Sequence, residues 1–131
     1  MTLKNQTGKI MEAINLEQKL SLFTKQWHPH LIVEGKSLQV YLSKIQGELV
    51  MHTHDNGDEL FYVVKGNMEM RFKDKKVKVK EGEVILVPRG VEHCPRTEPD
   101  EEVQLLVVEP IGTTHTGNVK HERTVSEFSR I

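Results

Sequence analysis

The chain has 131 residues, enough for one domain with a hydrophobic core and too few for two. Hydrophobic residues make up 37% and charged residues 28%, which excludes a wholly disordered or fibrous chain. Its 18 Lys and Arg against 19 Asp and Glu leave a net charge of −1, without the basic surplus of a nucleic-acid or anionic-membrane footprint.

No apolar run approaches the roughly 20 residues of a membrane span. Residues 1–6 lack an apolar core, so no secretory signal is expected. The one cysteine, Cys94, forms no intrachain disulfide, and a cytoplasmic location is expected. Residues 1–30 are read as an N-terminal helical segment, 31–110 as a β-barrel and 111–131 as a polar tail, together one domain. Within the first segment Leu16, Leu20, Phe23 and Trp27 recur at helical spacing. They predict one helix capped by Asn15, with Gln18 as reciprocal partner, and stopped before Pro29. His28 and His30, on either side of that proline, read as surface or turn residues.

From residue 31 the texture changes to short apolar runs at 31–33, 38–42, 60–64, 68–72, 77–79, 84–87 and 103–108. Turn residues separate them every 8–12 positions or so, which predicts an all-β sandwich or barrel. The runs at 60–64 and 105–108 are apolar on both faces. One face fills the barrel; the other needs cover from the helix and from a second subunit, so a homodimer is expected. The tail is expected to drape over the barrel, with His115 a candidate lid residue and His121 unassigned.

Histidine makes the sequence specific. His52 and His54 stand on either side of Thr53, and on a strand both imidazoles project to one face, with Cα atoms about 6.5–7 Å apart. The turn cluster 55–58 reverses the chain, and Glu59 opens the next strand, where its carboxylate can swing back toward them. His93 follows the turn at 88–90 and opens another strand. Three imidazoles and a carboxylate suit one divalent transition metal, Fe, Mn, Ni, Cu or Zn, with two positions of a six-coordinate ion left open. Burying four titratable groups without an ion costs several kcal/mol. An isolated His-X-His is as often a surface pair, and Glu59 alone a solvated strand end; the joint spacing is what points to a metal.

These residues resemble the two motifs of the cupins. The first runs from His52 and His54 through Glu59 to Gly66, the second from Gly82 through Pro88 and Gly90 to His93, within residues 38–109. The resemblance implies a jelly-roll β-barrel whose metal is held by His52, His54, Glu59 and His93. Two positions depart from the pattern. Gly47 stands five rather than six residues before His52, and Thr97 replaces the usual Asn four residues after His93. Neither is a ligand, so the departures bear on the substrate pocket.

The family contains dioxygenases, decarboxylases, sugar isomerases, epimerases and non-catalytic binders. It implies a metal-dependent enzyme, of dioxygenase or sugar isomerase/epimerase type, acting on a small polar or aromatic metabolite. The alternative is a binding module that uses the metal to hold an anionic ligand. Tyr41, Tyr62 and Arg96 are the candidate substrate-binding residues, with Arg71 and Arg89 behind them and Arg71 expected on a solvated face. No second carboxylate or lysine can be placed beside the four ligands from sequence. Cys94, next to His93, is expected to face away from the metal as a small buried hydrophobe.

Overall fold

The computed structural model describes residues 11–113, 116–117 and 128–131. Among these, one short helix, α1 (Leu16–Leu20), precedes the strands. They are β1 (His30–Glu34), β2 (Leu38–Ile45), β3 (Glu59–Lys65), β4 (Asn67–Phe72), β5 (Lys76–Lys80), β6 (Val84–Val87), β7 (His93–Arg96), β8 (Val103–Pro110) and β9 (Ser129–Arg130). A six-stranded sheet in the order β6-β3-β8-β2-β1-β9 faces a three-stranded sheet in the order β5-β4-β7. Every pair is antiparallel except β1 with β9. The predicted β architecture is therefore present as a jelly-roll barrel.

Strand alternation divides the two apolar runs between two cores. Val103, Leu105, Val107 and Glu109 of β8, with Glu59, Phe61 and Val63 of β3, point into the barrel and are buried. Met68, Met70 and Val79 of the opposite sheet close that core. On the outer face, Leu20, Phe23, Ile32 and Leu42 form a second cluster, against which Val64 and Leu106 pack. The N-terminal segment thus covers part of the outer face. A one-residue turn between β3 and β4 requires Gly66, whose φ is 95° and whose missing Cβ would stand 3.0 Å from the Glu102 carbonyl oxygen.

The helix is shorter than its stripe. Asn15 Oδ1 accepts the Gln18 amide proton at 2.9 Å, as a cap should, but the helix ends at Leu20. Phe23 and Trp27 are buried without being helical, and Trp27 has a φ of 58°. The side chain of Lys44 explains the stop. Its Nζ, almost wholly buried, donates to the carbonyls of Leu20 at 2.9 Å and Phe23 at 2.7 Å, which a longer helix would have used itself. Trp27 then joins the sheet region, its amide donating to the Lys44 carbonyl at 2.9 Å and its indole to the Gln46 carbonyl at 3.0 Å.

His30 also departs from expectation. It begins β1 instead of ending a turn, and it is buried against the Phe23 ring with centroids 4.0 Å apart. Burial, then neighbouring His28 and Lys44, lower its pKa, which keeps the ring neutral.

Because Lys44 satisfies two carbonyls at once, Lys44→Met should lower the unfolding free energy by about 2 kcal/mol. Denaturant unfolding measures this, and an unchanged midpoint would show that water replaces the ammonium without loss.

Candidate metal centre

The four candidate ligands come from both sheets and from the segment that joins them. Residues 47–54, between β2 and β3, run antiparallel beside β7. Thr97 donates its amide to the Gly47 carbonyl at 2.7 Å and Leu49 to the Pro95 carbonyl at 3.3 Å. His52 and His93 exchange both backbone hydrogen bonds, at 3.0 and 2.9 Å. Gly90 donates to the His54 carbonyl at 2.9 Å. The expected strand under His52 and His54 is therefore an extended segment tied at isolated bridges. Its alternation still holds: His52 and His54 are buried, while Thr53 between them is half-buried.

The side-chain donors converge. One ligand atom from each of His52, His54, Glu59 and His93 lies within 4.8 Å of the others, and all four residues are buried. Glu59 Oε1 stands 3.1 Å from His54 Nε2 and 3.2 Å from His93 Nε2. His52 Nδ1 contacts the Val50 carbonyl at 2.7 Å, and His93 Nδ1 the Val91 carbonyl at 3.0 Å. Carbonyls only accept, so each Nδ1 carries a proton, and Nε2 is the ring atom left to face the centre and to ligate when it is unprotonated.

Charge follows the same arrangement. Burial, and next the neighbouring His93, pull His52 down to about 4, so its ring is neutral near pH 7. Burial alone would raise the Glu59 carboxyl, but the imidazoles of His54 and His93 outweigh it and hold the group ionised. His54 Nε2, although close to Glu59, has no in-line hydrogen bond and is shut away from water. An unpartnered buried ring nitrogen beside a carboxylate and two more imidazoles is the donor set a divalent transition ion requires. The residues present fit such an ion.

The cup beside these donors is narrow. A cavity of about 20 Å³ is lined by Trp27, Tyr41, Ser43, His52, Glu59 and Phe61, among others. A wider cleft of about 190 Å³ lies at the rim, between His54, Asp55 and Asn56 on one side and Gly112, Thr113 and Gly117 on the other. Gly117 packs so closely that a Cβ there would run into the Thr53 carbonyl, and buried Thr116 precedes it. The described part of the tail thus rests on the metal-binding segment. His115 and His121 lie outside the described residues.

The other candidates separate. Tyr41 is buried and lines the narrow cavity. Tyr62 is on the outer face of β3, because Glu59, Phe61 and Val63 take the inner one. Arg96 faces away from the cup with Glu69 and Glu98, 3.6 and 3.4 Å from it, because His93 and Pro95 take the inner side of β7. Neither Tyr62 nor Arg96 reaches the cup. Arg71, half-buried, pairs at the same outer surface with Glu69 at 3.0 Å and Glu48 at 3.1 Å. The residue that sequence reasoning missed is Glu109, a buried carboxyl on the inner face of β8. Its i, i+2 spacing from Val103, Leu105 and Val107 was the available signal.

Buried ligands at the junction of two β-sheets define a metal-competent jelly-roll protein. The cupin domain family model matches residues 40–109, and the chain belongs to the cupin family. A crystal structure of a cupin-2 domain containing protein from Shewanella frigidimarina is similar at 38% identity and a TM-score of 0.71, covering 75% of this chain and 94% of that one. Protein NMB1881 from Neisseria meningitidis is similar at 34% identity and a TM-score of 0.70, covering 76% and 99%. Uncharacterized protein YdbB of Bacillus subtilis is 39% identical over 59 residues, 44% of this chain and 52% of that protein. The match therefore spans about half the length of that relative.

Replacing His52 or Glu59 by Ala should leave a folded barrel that no longer retains one ion per chain, since the apolar clusters do not include these side chains. Elemental analysis after dialysis, with circular dichroism as the folding control, measures both; a variant that keeps its full ion removes that residue from the ligand set.

Cys94 gives a second test. Burial, then nearby Glu48, raise its thiol to about 11, and its Sγ donates to the Leu49 carbonyl at 2.9 Å. At pH 8 roughly one thiol in a thousand is ionised, and the fraction grows only as pH approaches that value. Reaction with a thiol-specific disulfide reagent at pH 8 should be at least about a hundredfold slower in the native protein than in guanidinium. Equal rates would place the thiol in solvent.

Proposed function

We propose that this cupin is a metal-dependent enzyme, of dioxygenase or sugar isomerase/epimerase type, acting on a small polar or aromatic metabolite. One divalent transition ion per chain, Fe, Mn, Ni, Cu or Zn, is held by His52, His54, Glu59 and His93. The observation that carries this reading is the convergence of four buried donor atoms within 4.8 Å. A bound ion supplies Lewis acidity toward a substrate oxygen and open positions for a second ligand.

The chain's own residues supply the rest. The Val50 and Val91 carbonyls orient the His52 and His93 rings. Trp27 and Phe61, with Leu105, give the inner cavity an apolar wall. Burial, then Glu109 and Glu59, raise the Tyr41 phenol well above its usual range, so it stays neutral and serves as a hydrogen-bond donor. The second reading, a module that uses the metal to hold a small anion without turnover, is favoured by the cavity of only about 20 Å³.

Oxygen uptake by the iron-loaded protein, against catechols, aminophenols and thiols, separates these classes. Uptake with one compound class supports a dioxygenase. Solvent-deuterium incorporation into an aldose or ketose without oxygen uptake supports an isomerase. Saturable binding of a small anion with neither reaction overturns the enzyme reading in favour of the binding module.

Assembly as a homodimer and a cytoplasmic location belong to the same proposal. On the outer face of the large sheet, Leu60 pairs with Leu86 and Tyr62 with Val84. Val84 and Leu86 are 59% and 53% exposed, and the second apolar cluster does not reach them. A second copy of this chain would cover that stripe. Leu86→Glu should shift the protein from dimer to monomer in size-exclusion chromatography at micromolar concentration while leaving metal content unchanged. A parent protein that already elutes as a monomer would overturn the dimer.

A further inference from the structure

Glu109 is a second buried acid on the inner face of the large sheet, outside the group of candidate metal ligands. It is 2% exposed, and among the described residues neither of its carboxyl oxygens has a hydrogen-bond partner. Its position follows from register. Gln39 of β2 pairs with Glu109, and Leu60 of β3 pairs with Val108. One step further along that ladder sets Glu59 opposite Glu109, so Gln39, Glu109 and Glu59 form one row on the inner face. Glu109 is nevertheless outside the group of four convergent ligand atoms.

An unpartnered buried carboxyl is costly, and native proteins rarely keep one without a use. Burial, and then the Glu59 charge, raise its pKa well above the usual carboxyl range; the polar side chains of Thr113 and Gln39 stand close enough to offset part of this, short of a well-formed hydrogen bond. Thr113 also lines the rim cleft, where its hydroxyl accepts from Asn56 at 2.9 Å and donates to the Pro110 carbonyl at 2.7 Å. Glu109 therefore has the candidate metal site on one side and the cleft residue Thr113 on the other.

We propose that Glu109 is a ligand-binding residue: its carboxyl takes the hydroxyl or amino group of a small compound whose neighbouring oxygen meets the metal. The proposal rests on the metal reading above and narrows it to compounds with a hydrogen-bond donor adjacent to a metal-binding oxygen, such as a 2-hydroxy acid. A small acid that lacks the donor leaves the carboxyl unpaired and is disfavoured.

The test uses the full chain loaded with cobalt(II), whose visible absorption reports ligand exchange. Glycolate and methoxyacetate are the probes, sharing the same oxygens, with a methyl group in the second replacing the hydroxyl proton of the first. The parent protein should prefer glycolate by about tenfold. Glu109→Met should reduce that ratio to within about twofold, and Glu109→Gln should retain most of it. Both variants should keep one cobalt per chain. Glu109→Met should also raise the thermal midpoint by about 5 °C, because an apolar side chain of similar size removes an unpartnered polar group.

An unchanged ratio in Glu109→Met, or a parent that retains cobalt but binds neither acid, overturns the role of Glu109 and leaves the metal site standing. Loss of cobalt from the variants would make Glu109 a ligand and likewise overturn it. A lower thermal midpoint in Glu109→Met would assign the carboxyl a structural role instead. A parent that retains no cobalt overturns the metal reading and this proposal together.

Discussion

The reciprocal backbone pair between His52 and His93 is the constraint on which the centre depends. Glu59 stands on the large sheet and His93 on the small one, while His52 and His54 lie on the segment that connects β2 to β3. With two hydrogen bonds between the same two residues, that segment can neither slide along β7 nor turn over. Side-chain direction follows from backbone pairing, so both rings of the pair are presented to the same interior point. The carbonyls of Val50 and Val91, each two residues before its histidine, then set the rotation of the two rings. Backbone geometry thus places the donors before any ion is considered.

Buried polar groups are embedded in both apolar cores. Two clusters, one inside the barrel and one beneath the N-terminal segment, carry the hydrophobic stabilisation. His54 Nε2 and both carboxyl oxygens of Glu109 are unpartnered, and all belong to the cup or its inner wall. The two ring nitrogens of His30 are unpartnered too, but they lie in the outer layer against Phe23. Packing around the cup keeps these groups dry at a cost in stability, the usual signature of a site built for a ligand.

The tail and the N-terminal segment finish what the two sheets begin. Phe128 meets the Tyr41 ring edge-on with centroids 5.4 Å apart, and Gly117 lies against Thr53. Trp27, from the other end of the chain, helps line the inner cavity. The narrow space beside the donors is lined by barrel residues and by Trp27, while Gly117 of the tail lines the rim cleft, so no single motif contains all the residues around the site.

By itself the sequence determined most of the strands, the turn positions, the four candidate donors and the cupin character, because each is a local pattern: alternation, turn chemistry and short fixed spacing; the segment under His52 and His54 and the short β9 were the exceptions. Leu20, Phe23 and Trp27 were correctly legible as buried, with Leu16 partly so, yet their spacing overstated the helix. Periodicity reports burial, whereas the backbone path was decided by a lysine from β2 that took the carbonyls of Leu20 and Phe23. Tyr62 and Arg96 looked available to the pocket as residue types, and strand parity turned both outward. Parity made Glu109 legible as inward-facing, but not as a neighbour of Glu59. Only the register of β8 between β2 and β3 sets its carboxyl in the row with Glu59, because cross-strand neighbours are chosen by the whole sheet and not by the segment that carries them.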